Sequence, residues 1–415
     1  MAEQRRGIGG LFPDSYAGRV LVLVALVDSV GTGLYLASSV LFLTRAVGLT
    51  GAEVGAGVAA GAVVGFLASV PAGMLADRRG AKNVLMALQA WRGLCFMALA
   101  FVGSFWQFLV VSILLGLADR GVGPVTQAVV GAAVEGRSRV QVLALMRSVR
   151  NAGFGLGAAL STALIAVDTP TLYRGMILAD AASFFVAVAV LAKVPVPGRP
   201  EVRAKALFGG ARVFADRPYL VLSGLNGVLT LHMTLLAVGL PLWTAEHTSA
   251  PVWVVGVMVV ANTCLSVLLQ VWAAKGCEDP RVAVRRGVWA GVALACCVVL
   301  LPFAPGRPAV LAAGLMLLAA VLLTLGELWQ SASAWGLSID LAPEAYRGEY
   351  LSAFSLGRSL QEAIGPVVVT ALVIPYPSLG WPLLAVTFVV VGLAIAPAAE
   401  ALIRRAPVAA APGPA

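Results

Sequence analysis

Charge is scarce in this chain. Asp, Glu, Lys and Arg make up 12% of its 415 residues, about half of what a water-soluble domain carries on its surface. With 60% hydrophobic residues and a mean hydropathy of +0.92, that scarcity excludes a soluble multidomain protein, and the apolar content excludes disorder. Glycine has no three-residue period, which excludes a collagen-like rod. The five cysteines form no C-x-x-C pair, so they read as small apolar residues rather than a disulfide framework, a metal site or a redox centre. Histidine is limited to His232 and His247. No G-x-x-x-x-G-K-[ST] is present to bind ATP, and no H-E-x-x-H or G-x-S-x-G marks a protease or hydrolase. The expectation is a protein that is not an enzyme and needs no cofactor or metal.

Long apolar runs are plentiful. A hydrocarbon core needs about 20 apolar residues per helix. Twelve runs qualify, at 18–43, 52–75, 83–103, 106–130, 141–167, 172–192, 219–244, 252–274, 286–304, 309–336, 350–374 and 381–403. The first is a full-length span after a short polar leader and reads as retained rather than as a signal peptide. The net charge of +9 is distributed unevenly. Alternate connections hold Arg5, Arg6, Arg78, Arg79, Lys82, Arg137, Arg139, the basic residues between Lys193 and Arg217, Lys275, Arg281, Arg285, Arg286, Arg347, Arg404 and Arg405. The opposite side holds Arg45, Arg174 and Arg307. Positive charge gathers on the cytoplasmic side of a membrane, so both termini are expected in the cytoplasm. The basic excess therefore needs no nucleic-acid partner. Preference for arginine over lysine, with heavy Ala, Gly and Val usage, points to a GC-rich bacterial genome and so to the bacterial inner membrane.

The longest polar connection, 194–218, divides the chain into a six-helix bundle at 1–193 and another at 219–405, followed by an Ala/Pro-rich tail, 406–415, expected to be disordered. A shift of 208 residues brings Asp119 onto Glu327, Arg139 onto Arg347, Arg150 onto Arg358 and Gly157 onto Gly365. Charged matches inside apolar runs are not expected from composition alone. The pattern is an all-α polytopic protein of two parallel-repeat bundles, an arrangement that places a binding site between the repeats near mid-membrane.

The second run ends in Gly73-Met74-Leu75-Ala76-Asp77-Arg78-Arg79-Gly80-Ala81-Lys82. This resembles the loop signature G-x-L-x-D-R-x-G-R-K of the major facilitator superfamily, with Gly73, Leu75, Asp77, Arg78, Gly80 and Lys82 matching and Ala81 in place of a basic residue. The fifth run has Gly153 and Gly157 at the spacing of the G-x-x-x-G-P signature of the drug–proton antiporter branch, with Ala158 where that signature has proline; Gly365-Pro366 carries a proline in the second half. Arg120, with Gly121 and Gly123, is similar to the intramembrane arginine that handles protons in this superfamily. The resemblance implies a twelve-span fold whose cavity is lined by spans one, four, seven and ten. It also implies a gating loop at Gly73, Asp77, Arg78, Gly80 and Lys82. Asp77, an anion at the membrane surface, is suited to a helix N-terminus such as that of span eleven.

Ionisable residues inside spans are unfavourable by about 2.5–3.5 kcal/mol each at a helix centre, so each needs a partner or a wet cavity. Asp28 is followed by Thr32, Tyr35 and Ser39 on one helical face, and Ser223, Asn226, Thr230 and Thr234 form a second stripe. These stripes are the expected substrate cavity, with Thr32, Tyr35, Ser39, Asn226 and Thr230 lining it. Asp28 and Glu327, then Asp119 with Arg120, are the candidates for proton coupling. Two alternatives stand beside that role: a structural Asp28, and pairing of Asp119 and Glu327 with Arg150 and Arg358. His232 lies opposite the Ser223 stripe and reads as structural; Arg92 has Asp180 as a possible partner. The expected function is proton-coupled export of small amphipathic molecules, such as drugs or secondary metabolites, by a monomer whose partners are its substrate, protons and the lipid bilayer. Nutrient uptake and a transport-inactive sensor or scaffold are the alternatives.

Overall fold

The structure, a computed structural model, describes residues 15–134, 138–165, 169–195, 212–251 and 253–404. The leader with Arg5 and Arg6, most of the expected linker and the expected tail lie outside the described residues. Among the described residues there is no strand. The long helices are α1 Tyr16–Leu41, α2 Gly51–Arg79, α3 Ala81–Leu99, α4 Phe105–Ala133, α5 Ser138–Ile165, α6 Pro170–Leu191, α7 Arg217–His247, α8 Trp253–Ala274, α9 Pro280–Leu300, α10 Ala309–Asp340, α11 Arg347–Val367 and α12 Pro377–Ile403.

Local chemistry explains the helix boundaries. Thr50 and Glu53 form a reciprocal capping box at the start of α2: Glu53 N–H donates to Thr50 Oγ1 at 3.3 Å, and Thr50 N–H donates to Glu53 Oε2 at 2.8 Å. Gly80 divides α2 from α3 with φ of +88°, a backbone state that a Cβ disfavours. Asp279 caps α9 through Arg281 N–H at 2.8 Å, and Pro280 follows at the position where a missing N–H does no harm. The ladder of α7 is interrupted at Thr230 and Leu231 and passes through a π-helical turn, Leu235–Gly239.

Nine helices among the described residues are long and apolar enough to cross a membrane. The three other long helices are more polar: α3 carries Lys82 and Arg92, α5 carries Arg139, Arg147 and Arg150, and α11 carries Arg347, Glu349, Arg358 and Glu362. Outward-facing residues are apolar where a soluble protein would place charge: Leu67, Leu268 and Val310 are 67%, 72% and 86% exposed. The molecule is a multi-pass, all-α membrane protein.

The described chain forms two compact units. One contains 15–195 with 266–275 and 344–352; the other contains 212–265, 276–343 and 353–404. In the first, α1 packs on α5 and α6, α2 on α4, and α3 on α4 and α6. The second repeats this scheme. There α7 packs on α12, and α9 on α10 and α12. Ser223 Oγ of α7 donates to the Ala353 and Phe354 carbonyls of α11 at 3.2 and 3.0 Å, and Asn262 of α8 reaches Glu327 of α10. Equivalent pairs therefore meet in both units, as the 208-residue shift leads one to expect.

Small residues make the closest crossings. Gly61 of α2 leaves no room for a Cβ against the Ser112 carbonyl of α4. Gly227 and Gly357 press α7 and α11 backbone to backbone. An aromatic and aliphatic cluster closes one end of the first unit, with Phe42, Phe96, Phe108, Tyr173 and Phe184 buried together.

Candidate functional site

Three polar constellations interrupt the apolar packing. The first lies inside the first unit, where α1, α3, α4 and α6 converge. Arg92 of α3 is its centre. Arg92 Nη1 donates to Asp28 Oδ1 at 3.1 Å and to Gln89 Oε1 at 2.8 Å, and Gln89 Nε2 donates to Asp28 Oδ1 at 3.1 Å. Arg92 Nε lies 3.2 Å from Asp119 Oδ1. The guanidinium also stacks over the Phe184 ring, 4.2 Å from its centroid. Asp180 of α6 interacts electrostatically with Arg92, Asp28 and Asp119.

Asp28, Arg92 and Asp180 are buried, whereas the Asp119 side chain is 51% exposed. Along α1, Thr32 Oγ1 turns back to the Asp28 carbonyl at 2.9 Å. Tyr35 stands edge-on to Phe96 with centroids 4.7 Å apart, and Ser39 is buried. Arg120, one residue beyond Asp119, lays its aliphatic stem against Gly65 of α2.

The second constellation lies inside the second unit. Asn262 Nδ2 donates to Glu327 Oε2 at 2.8 Å and to Thr324 Oγ1 at 3.1 Å. One turn further along α10, Gln330 Nε2 donates to Asn226 Oδ1 of α7 at 2.6 Å. Thr230 is buried and gives its hydroxyl proton to the Gly227 carbonyl at 2.6 Å, beside the break in α7. Gln361 Nε2 donates to Thr234 Oγ1 at 2.6 Å. His232 is buried, with Nδ1 2.9 Å from the Leu229 carbonyl. That oxygen only accepts, so Nδ1 carries the hydrogen and the ring is tied to its own helix.

The third constellation is the loop signature. Asp77 receives two consecutive backbone donors at the start of α11: Gly348 N–H to Oδ1 at 2.7 Å and Glu349 N–H to Oδ2 at 2.8 Å. Unpaired N–H groups and the positive end of the helix dipole favour an anion there. Gly73 faces the Gly348 carbonyl and Ser352 Oγ without space for a side chain. Arg347 Nη1 donates to the Gly131 carbonyl at 3.3 Å. Lys82 Nζ donates to the Ala192 and Val194 carbonyls at 2.8 and 2.7 Å, at the C-terminal end of α6. The signature thus sets an anion on a helix N-terminus and a cation on a helix C-terminus, the signs that the two dipole ends prefer. Arg78 is half-buried between them in sequence.

Charge periodicity alone did not find Gln89, Asn262, Gln330 and Gln361. Their signal was available as amide residues inside apolar runs, with Gln89 and Gln330 three residues from Arg92 and Glu327. Among the described residues no group of His, Cys, Asp and Glu is arranged to hold a metal ion.

Known proteins agree with this architecture. Over 141 residues, 34% of this chain and 34% of the relative, the sequence is 28% identical to an uncharacterized MFS-type transporter, YqjV, of Bacillus subtilis (strain 168). Over 124 residues, 30% of this chain and 29% of the relative, it is 31% identical to a probable 4-methylmuconolactone transporter of Cupriavidus pinatubonensis (strain JMP 134 / LMG 1197). The chain thus matches about a third of the length of these curated relatives. Among solved structures, a bacterial homologue of the iron transporter ferroportin superposes with a TM-score of 0.69 at 15% identity, covering 94% of this chain and 100% of that one. The human organic anion transporter MFSD10 superposes with 0.65 at 17% identity, covering 96% and 100%. The proton:xylose symporter XylE gives 0.65 at 13%, covering 94% and 95%. These likenesses are of fold. The family model described as Major Facilitator Superfamily matches residues 21–366, so the chain belongs to that superfamily of membrane transporters and is not an enzyme.

Proposed function

We propose that this protein is a proton-coupled exporter of small amphipathic molecules, working by alternating access as a monomer in a bacterial inner membrane with both termini in the cytoplasm. One observation carries the reading. A single guanidinium, Arg92, faces the carboxylates of Asp28, Asp119 and Asp180 within an apolar bundle. Surplus negative charge is expensive in a membrane, so such a cluster is built to take up and release protons. Asp119 is its accessible member. Glu327, held by Asn262, is the corresponding acid of the second unit.

Protonation of Asp28 would weaken its hold on Arg92 and leave the guanidinium to Asp119, so charge state and side-chain pairing change together. Thr32, Tyr35, Ser39, Asn226 and Thr230 are the proposed substrate-lining residues, and Arg120 modulates the field beside Asp119. Asp77 latches the start of α11 and releases it during the transport cycle. A membrane potential of about 100 mV supplies roughly 2.3 kcal/mol per proton charge, which supports a roughly 40-fold substrate gradient.

The test is substrate-induced proton release from detergent-solubilised protein, using a panel of cationic, neutral and acidic compounds chosen from a susceptibility screen of expressing cells. Wild type should release protons on binding. Asp28→Asn should abolish proton-driven efflux and weaken a cationic substrate more than a neutral one. Proton release and efflux unchanged in both Asp28→Asn and Glu327→Gln would refute the coupling role. A second reading, movement of a small lactone, rests on the segment shared with the probable 4-methylmuconolactone transporter. That compound belongs in the panel, and its accumulation by expressing cells would favour uptake.

A further inference from the structure

We propose that Asp180 on α6 is the carboxyl that holds the proton of the buried cluster at rest, while Asp28 and Asp119 are the two that pair with Arg92. The inference deepens the proton-coupled reading and rests on it for its role in transport.

The three carboxyls differ in what stabilises a negative charge. Asp28 Oδ1 accepts from Arg92 Nη1 and from Gln89 Nε2, each at 3.1 Å. Charge-assisted bonds of this kind are the stronger ones. Asp119 lies 3.2 Å from Arg92 Nε and its side chain is half exposed, so it has a cation beside it and is not sealed in. Asp180 feels Arg92 only through space, without a bond to it. It is fully buried, and its Oδ2 has no hydrogen-bond partner. Its Oδ1 is packed into a notch at Gly31 of α1, where even a Cβ would have no room. Water is excluded from that side.

The remaining neighbour, Ser183, completes the case. Ser183 Oγ lies 2.7 Å from the Asp180 carbonyl and 3.3 Å from Asp180 Oδ1. A hydroxyl has one proton to donate and lone pairs to accept with. The shorter bond to the carbonyl, a pure acceptor, takes that proton. The 3.3 Å contact to Oδ1 is then only the minor branch of a shared donor, so Ser183 gives little support to a negative charge on Asp180.

The charged and titratable groups facing it are Asp28 and Tyr35 from α1, Arg92 from α3 and Asp119 from α4. With Arg92 the sole cation among them, a third ionised carboxylate would leave the cluster with a surplus of two negative charges. A proton on Asp180 removes one of them. Asp119, the accessible member, is the group through which we propose that the proton enters and leaves. No other bond changes.

Infrared difference spectroscopy reads this directly, without transport. In wild type at neutral pH, the carbonyl stretch of a protonated carboxylic acid should be present. It should move when the protein is grown on isotopically labelled aspartate, which separates it from Glu327. The band should vanish in Asp180→Asn, persist in Asp28→Asn and Asp119→Asn, and shift without loss in Asp180→Glu, the variant to rely on if the amide does not fold. An aspartic acid band that survives Asp180→Asn overturns the proposal, as does absence of any such band in wild type. Proton-driven efflux is measured alongside. Loss of the band with unchanged efflux leaves Asp180 as the protonated group and sinks the transport reading alone.

Discussion

Arg92 and Asp28 meet through Nη1 and Oδ1 at 3.1 Å, with side chains only 8% and 9% exposed. The pair is asymmetric. Asp28 has one cationic partner, whereas Arg92 serves Asp28, Asp119 and Asp180. Removing one partner of a buried pair destabilises by about 3–5 kcal/mol when it strands the other. Arg92→Met strands several carboxylates and should reach that range. Asp28→Asn leaves Arg92 with Asp119 and should be distinctly milder. In detergent, the melting temperature should fall in the order wild type, Asp28→Asn, Arg92→Met, and the double variant should recover part of the Arg92→Met loss. A greater loss in Asp28→Asn than in Arg92→Met would show that the arginine is not the centre.

Asp77 engages two backbone N–H groups at once. Asparagine at this position keeps one acceptor oxygen and loses the charge. Helix-terminus interactions of this kind are worth about 1 kcal/mol, up to about 2 when partly buried, or roughly a five- to thirtyfold change in a conformational equilibrium. Asp77→Asn should therefore leave substrate affinity nearly unchanged while turnover drops severalfold. Equal turnover in reconstituted vesicles would take Asp77 out of the cycle.

The glycines beside that carboxylate set how closely the chain segments approach. A Cβ on Gly348 would lie 2.5 Å from the Gly73 carbonyl and 2.9 Å from Asp77 Oδ1. Either Gly73→Ala or Gly348→Ala should push the segments apart. Spin labels at the exposed positions Asn83 and Glu344 should report longer distances in both variants, and the double variant should add little. An unchanged distance distribution would mean that the contact yields without consequence.

Much of this architecture was legible in the sequence because membrane helices announce themselves by length and apolarity. The Asp77 signature is local, ten consecutive residues, and its helix-end partner follows from sign alone. Arg92 was harder: its partners Asp28 and Asp119 are distant in sequence and lie on other helices, and a one-dimensional reading had no reason to prefer them over Asp180. Gln89, Asn262 and Gln330 carry no charge, so they escaped a search keyed to ionisable groups. Asp28 shares a helical face with Thr32, as the stripe suggested, but the spacing did not reveal that α3 meets that carboxylate.

Cys277 sits between α8 and α9 and is fully buried. Burial pushes its thiol up to about 11, with Arg286 pulling partly the other way. Only the thiolate reacts, and at neutral pH there is roughly a hundredfold less of it than the ordinary value of 9.0 would give. An impermeant maleimide should label native Cys277 slowly even from the cytoplasmic face, and quickly after denaturation. Topology is better tested with Lys275→Cys, an exposed position in the same connection, in a variant lacking the native cysteines. Labelling from the cytoplasmic face alone is expected, and labelling of intact cells from outside would invert the orientation.

Glu327 tests whether the second unit contributes a proton or only a hydrogen bond. Its Oε2 accepts from Asn262 Nδ2 at 2.8 Å, and Asn262 also reaches Thr324. Glu327→Gln can present its amide oxygen to Asn262 and so keep that bond. The stability change should be no more than about 1 kcal/mol, the scale of one net hydrogen bond. Asn262→Ala has the opposite character: it leaves the carboxyl and removes its donor. If Glu327 carries a proton, Glu327→Gln should flatten the pH dependence of transport and leave substrate binding largely intact. Asn262→Ala should retain pH dependence and lose stability, because the acid stays while its donor is removed. A transport profile identical to wild type in Glu327→Gln, together with a stability loss in Asn262→Ala, would assign Glu327 to packing between α8 and α10 and leave coupling to the first unit alone.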